Sequence, residues 1–84
     1  SEADAHLRRA VALEPKLAEA HYNLGNLLEK QDDLDAAAAS FIAAIGLKPD
    51  FYRAHNNLGA VLLKAAKAEP AHAAFARALA LEPK

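Results

Sequence analysis

Cysteine, methionine and tryptophan are absent from this 84-residue sequence, and it holds only three glycines, four prolines and five aromatic residues. Without cysteine there is no disulfide framework and no thiolate metal site. No apolar run reaches the ~18 residues of a membrane-spanning helix. Neither sign of charge dominates: ten Lys and Arg stand against eleven Asp and Glu. The electrostatic footprint of a nucleic-acid binder is therefore missing. No basic-then-apolar targeting segment opens the chain, and the expected compartment is the cytoplasm. Catalytic inventory is equally thin. Ser1 and Ser40 are the only serines, and no glycine-rich phosphate loop occurs. Asp32, Asp33 and Asp35 read as a solvated turn. No cofactor and no enzymatic activity are expected.

What is present is alanine, 23 times, and leucine, 13 times. This is a helix-former's composition. At 54% hydrophobic content and net charge −1, the chain is not disordered by composition. Its length allows one small domain, which buries only about two-thirds of its unfolded surface.

The prolines set the organisation. Pro15, Pro49 and Pro83 are 34 residues apart. Asn23-Leu24-Gly25 recurs as Asn57-Leu58-Gly59, Phe41 as Phe75, and Leu28 as Leu62, at the same interval. Leu13-Glu14-Pro15-Lys16 answers Leu81-Glu82-Pro83-Lys84, so residues 1–17 are the second half of a unit. The chain divides into that half-unit and two whole units, 18–51 and 52–84. A fixed period of this length is the signature of a solenoid. Each unit carries two helical stripes. Ala20, Leu24, Leu27 and Leu28 share one face, and Ala54, Leu58, Val61 and Leu62 repeat it. Leu34, Ala37, Phe41, Ala44 and Ile45 form the second stripe, repeated by Ala68, Ala71, Phe75, Ala78 and Leu79. Ala3, Leu7, Ala10 and Val11 give a stripe in the half-unit. The spacing predicts five helices.

The breaks have physical causes. Pro15 and Pro49 push the preceding residue out of the α region. Asp50 is the expected N-cap of the helix that follows it. Gln31-Asp32-Asp33 ends the first helix of its unit, where aspartate tolerates a left-handed turn. Ala66 stands there in the next unit and is less at ease, which predicts a looser turn. Pro70 falls in a first helical turn, where it is tolerated. Gly46, inside a helix, costs about 1 kcal/mol relative to alanine.

Leu24-Gly25, Ala37, Phe41, Ala44 and Pro49, with Leu58-Gly59, Ala71, Phe75, Ala78 and Pro83, resemble the tetratricopeptide repeat (TPR), a 34-residue helix–turn–helix. Three departures stand out. His21 and His55 replace the usual Trp, Leu28 and Leu62 the frequent Tyr, and Ala66 the usual turn glycine. Within the family, His21 to Asn26 and Leu47 to Phe51 look most like the repeats of O-linked N-acetylglucosamine transferases and their bacterial relatives. The resemblance implies an all-α, right-handed α-solenoid of two and a half repeats. Its concave groove would be lined by the first helix of each unit.

By that resemblance the chain is a non-catalytic scaffold that binds a protein or peptide, without nucleic acid or membrane. The groove residues would be Glu19, Tyr22, Asn23, Asn26, Glu29 and Lys30, then Arg53, Asn56, Asn57, Ala60 and Lys64. An asparagine amide both donates and accepts, so Asn23 and Asn57 could form a ladder along an extended peptide backbone. Solvation, or a local bond to the backbone, is the other reading of these asparagines. His21 and His55 could suggest zinc, but tetrahedral zinc needs at least three protein ligands. Burial between helices is the expected role, and no metal is expected. The ends lack the polar caps a solenoid needs. Phe75, Ala78, Leu79 and Leu81 would then form an apolar end face, as in a piece of a longer array. Self-assembly through such ends into a homo-oligomer is the competing function. Substrate recruitment for a larger transferase is a third.

Overall fold

The computed structural model describes residues 17–82, which form four α-helices with no strand among them. They are α1 (Ala18–Lys30), α2 (Leu34–Leu47), α3 (Tyr52–Lys64) and α4 (Ala68–Leu81). The helix expected within residues 1–17 falls on residues outside this range, apart from Leu17, which caps α1. Three-residue connections make α1–α2 and α3–α4 two helical hairpins. The hairpins meet mainly through α2 and α3, with α1 also touching α3.

Most residues of the expected stripes are buried or half-buried, whereas Ala68 and Leu79 are exposed. Leu24, Leu28, Ala37, Phe41 and Val61 make one buried cluster, joined by half-buried Tyr22, Leu34 and Leu58. Ala44, Phe51 and Ala54 make a second, flanked by Ala18, Tyr22 and Ile45. Ala74 and Ser40 are buried too, at equivalent places outside the predicted stripes. Both sit one turn from a buried alanine, so the buried face is wider than the leucine and phenylalanine pattern suggests. Gly25 and Gly59 allow the close approach. A Cβ on Gly25 would stand 2.7 Å from the Phe41 ring, and one on Gly59 2.9 Å from Phe75.

The turns inside the two hairpins have one shape. Asp32 and Ala66 both take positive φ, 61° and 62°. In the first turn Asp32 N–H donates to Glu29 O and Asp33 N–H to Leu28 O, each at 2.9 Å. In the second, Ala66 N–H donates to Leu63 O at 3.0 Å and Lys67 N–H to Leu62 O at 2.8 Å. These are the paired backbone bonds of a Schellman motif. The second turn therefore has the same hydrogen-bonded shape as the first. Backbone groups make the bonds, so they form whatever the side chain, and alanine carries the strain instead. Ala66 is exposed and its Cβ packs on nothing that must be kept. Ala66→Gly is expected to stabilise the chain by about 1 kcal/mol. A thermal melt that leaves the midpoint unchanged or lowers it would refute this.

Between the hairpins, Phe51 N–H donates to Lys48 O at 3.0 Å, closing a turn with Pro49 at its second position. Phe51 is the N-cap of α3, and no side-chain cap bond is made there. This corrects the assignment of Asp50. Asp50 is spent in the turn, and burial of the Phe51 ring fixes where the helix begins. Pro70 lies in the first turn of α4, as expected.

Candidate functional site

The residues of α1 at positions 19, 22, 23, 26, 29 and 30 fall on one face by helical spacing. Residues 53, 56, 57 and 64 do the same on α3. In the structure every one of these ten lines one of three open clefts. The largest, about 560 Å³, is lined by Glu19, Tyr22, Asn23, Arg53 and Leu81, with Lys48, Asp50, Phe51 and Tyr52. A second of about 360 Å³ is lined by Tyr22, Tyr52, Arg53, Asn56 and Asn57, together with Phe75, Ala78, Leu79 and Glu82. A third, about 300 Å³, lies among Asn26, Glu29, Lys30 and Lys64. Tyr22, Tyr52 and Arg53 stand between the first two. Ala60 lines none of them.

Asn23 and Asn57 are copies in sequence but not in setting. Asn23 is exposed, whereas Asn57 is half-buried. The Asn57 Nδ2 donates to Asn26 Oδ1 at 2.6 Å and to the Tyr22 hydroxyl at 3.2 Å. Both of its amide hydrogens thus tie α3 to α1, and its Oδ1 is left to accept. The Tyr22 hydroxyl, accepting from Asn57, can still donate. Tyr22 is held by aromatic contacts, its ring centroid 4.9 Å from Phe51 and 5.9 Å from Phe41. Lys48 lies 5.1 Å over the Phe51 ring and Arg53 5.8 Å over that of Tyr52. The Arg53 guanidinium is held above its ordinary pKa, first by its hydrogen bond with Tyr52 and then by that residue's charge. The largest cleft therefore mixes two cations with two carboxylates around aromatic walls.

Lys64 Nζ donates to Glu29 Oε2 at 2.8 Å. This bond, and then the carboxylate's charge, raise the Lys64 pKa. A raised lysine pKa means that the pair's contribution is complete at neutral pH and fades only as alkaline pH passes the folded-state value. The pair is exposed and screened, so it orients α1 and α3 more than it stabilises them.

His55 is buried and its Nε2–H donates to Pro49 O at 3.0 Å, which clasps α3 to the turn before it. His21 is half-buried. The end-face set divides. Leu79 is 74% exposed, the most exposed large apolar residue described. Phe75 and Leu81 are half-buried, and Ala78 is buried in its own hairpin. Ala78 was expected on an open face; it is buried, with what remains exposed at the lining of the second cleft.

The sequence reading missed Lys48, Asp50, Phe51, Tyr52 and Glu82 as cleft residues. The consecutive aromatics Phe51-Tyr52, directly after Pro49-Asp50, were the available signal. Both rings line the largest cleft, Phe51 from a buried position and Tyr52 from a half-buried one.

Several solved structures share the fold. A MamA structure is 32% identical over 90% of this chain, with a TM-score of 0.84, and this chain covers 42% of it. Another MamA structure is 31% identical over 89%, with a TM-score of 0.85 and 44% of that chain covered. An arginine-to-glutamate mutant of MamA is 24% identical over 93%, with a TM-score of 0.88 and 57% covered. The chain thus spans about half the length of the solved proteins it matches. No curated protein matches the sequence. The sequence profile described as a tetratricopeptide repeat matches residues 18–51, and a second TPR repeat profile matches residues 1–32. Together with the 34-residue period and the two helical hairpins, these matches establish that the chain belongs to the tetratricopeptide repeat family.

Proposed function

We propose that this chain is a non-catalytic protein-interaction module that holds an extended peptide or partner segment along the face shared by α1 and α3. The units are residues 18–51 and 52–84, preceded by the half-unit 1–17, wound as a right-handed solenoid. One observation carries the reading: of the eleven side chains that the family resemblance puts in the groove, all but Ala60 line open clefts on two neighbouring helices. Their chemistry suits a peptide backbone. Tyr22 O–H offers a donor and Asn57 Oδ1 an acceptor, side by side, for one C=O and one N–H. Exposed Asn23 supplies both kinds of group.

Asn57 also joins the two hairpins, so its removal would confuse binding with folding. Asn23 gives the clean test. With a peptide selected from a random library on the purified protein, Asn23→Ala is expected to weaken binding about tenfold, one lost hydrogen bond's worth. Its thermal midpoint should not move. Selected peptides that bind Asn23→Ala and Arg53→Ala as tightly as the parent would sink the groove reading.

A second reading is favoured by Leu79, whose side chain no described residue covers. The end of the α3–α4 hairpin would be a protein contact, self-association being its simplest form. Sedimentation velocity over a wide concentration range tests it. A concentration-dependent dimer that Leu79→Asp abolishes supports self-association, and a monomer throughout rejects it.

A further inference from the structure

The hydrogen bonds between α1 and α3 have a direction, and Asn57 sets it. Its Nδ2 gives one hydrogen to Asn26 Oδ1 at 2.6 Å and the other to the Tyr22 hydroxyl at 3.2 Å. Each of those neighbours can in general donate or accept. Having accepted from Asn57, Tyr22 keeps its O–H hydrogen, and Asn26 its Nδ2 hydrogens, to give to something else. Tyr52 follows the same rule. Arg53 has no acceptor, so it donates in its hydrogen bond with Tyr52, and the Tyr52 O–H hydrogen is left to give. The guanidinium adds further donors of its own. Tyr22, Tyr52 and Arg53 all line the largest cleft, between the two hairpins, together with the Phe51 ring. This stretch of the lining is aromatic in surface and one-sided in hydrogen bonding: it donates. Beside it, the Asn57 Oδ1 is left to accept. Glu19 and Asp50 line the same cleft, but they are exposed carboxylates, which water solvates.

We propose that this cleft takes a proline-rich segment in the polyproline II conformation, with an X-Pro dipeptide seated on Tyr22 and Tyr52. The proposal rests on the groove reading above and names the class of peptide. A strand-like peptide brings one N–H for every C=O, and a wall of donors would set those N–H groups against other donors. An X-Pro repeat brings one N–H for every two C=O groups, because proline has none. Its carbonyls suit Tyr22, Tyr52 and Arg53, and its remaining N–H suits Asn57 Oδ1. The pyrrolidine ring is apolar and stiff, and it packs on the face of a tyrosine. A polyproline II segment is already ordered before it docks, so it gives up little conformational entropy. Charge points the same way. Lys48 lies over the Phe51 ring and Arg53 over that of Tyr52. Glu19 and Asp50 balance these two cations, so the cleft makes no demand for a charged ligand.

The probe is a capped peptide of Ala-Pro repeats, titrated into the intact 84-residue protein. An Ala-Ser peptide of equal length is the control. The Ala-Pro peptide is expected to bind saturably and at least about tenfold more tightly than the control. Tyr22→Phe keeps the ring against Phe51 and removes only the hydroxyl; Tyr52→Leu removes the second ring. Each should weaken Ala-Pro binding about tenfold. Asn57→Asp tests the direction of the bonds. An aspartate can only accept, so Tyr22 and Asn26 must turn their hydrogens inward to keep the hairpins joined. The wall then loses two of its donors, and Ala-Pro binding should again fall about tenfold or more. A parent-like thermal midpoint shows that each variant is folded; if Asn57→Asp is not, Tyr22→Phe decides. Absence of Ala-Pro binding, or binding that Tyr22→Phe and Tyr52→Leu leave unchanged, overturns the proposal. Library-selected peptides without proline that bind more tightly than the Ala-Pro peptide, and lose affinity with Asn23→Ala and Arg53→Ala, also overturn it, while leaving the groove reading in place.

Discussion

Gly25→Ala is expected to destabilise the chain, although alanine is the better helix former by about 1 kcal/mol. The new methyl would sit 2.7 to 2.9 Å from three carbons of the Phe41 ring. Rotating the ring cannot clear three of its own carbons, and Phe41 is fully buried, so the helices must part. Overpacking of this kind costs about 1–3 kcal/mol. Set against the helix gain, this leaves a net loss of up to about 2 kcal/mol, a fall of up to roughly 8–16 °C in thermal midpoint for a domain of this size. Gly46→Ala is the internal control. Nothing lies within 4 Å of its would-be Cβ, and its φ is not positive. That variant should gain about 0.5–1 kcal/mol. If both glycine variants shift the midpoint the same way, the close-approach argument is wrong. Gly59→Ala should cost less than Gly25→Ala, because Phe75 is only half-buried and can yield.

These glycines show what the sequence made legible. A 34-residue period, together with stripes at i, i+3, i+4 and i+7, placed all four described helices. Small residues repeated among large ones pointed to close packing, and Gly25 and Gly59 sit under phenylalanine rings. What stayed hidden were properties that periodicity does not carry. Equal letters at 34-residue spacing implied equal roles for Asn23 and Asn57. The second lies between two hairpins and meets Tyr22 and Asn26, while the first is exposed. A repeat fixes the phase of a residue on its helix, not which neighbours precede and follow it. For the same reason Asp50 was credited with capping α3. The side-chain preference was read correctly, but burial of the next residue's ring is worth more than a cap of about 1 kcal/mol.

The cleft residues on α1 and α3 were named through the family resemblance, and the set was incomplete by element. Every residue named from α1 and α3, apart from Ala60, lines a cleft. The lining contributed by the Lys48–Phe51 turn was missed, because a turn has no period to read. That turn brings two charges of opposite sign, Lys48 and Asp50, to the largest cleft. It also carries the carbonyl of Pro49 that holds His55. A residue standing at the family's tryptophan position thus became a hydrogen-bonded strut.

Phe51→Ala is expected to cost about 3 kcal/mol, at the lower end for phenylalanine-to-alanine changes in a core, since the ring is slightly exposed. Its neighbours Ala44, Ala54 and Ala18 are too small to fill the space. Stability in a repeat protein is approximately a sum of unit terms and interface terms. Phe51 belongs almost wholly to the interface between the two hairpins, so its removal should change cooperativity as well as midpoint. Denaturant unfolding should show a reduced m-value, or two steps, as the hairpins cease to melt together. Phe41→Ala should lower the midpoint with less of that signature, because the Phe41 ring packs closely over Gly25 in its own hairpin, although its cluster also takes in Val61 of α3. Leucine at position 51 keeps most of the volume and should cost less than about 1.5 kcal/mol. Leu17, 34 residues earlier, already holds the equivalent place at the start of α1. Equal m-values for Phe51→Ala and the parent would mean that the hairpins are coupled elsewhere, through Val61 in the first hairpin's cluster, the Asn57 bonds to Asn26 and Tyr22, and the Lys64–Glu29 pair. A reduced m-value would place the seam at the aromatic contact between Phe51 and Tyr22. That contact also sets the spacing of the clefts on either side, so groove affinity should fall with it at temperatures where both hairpins are still folded.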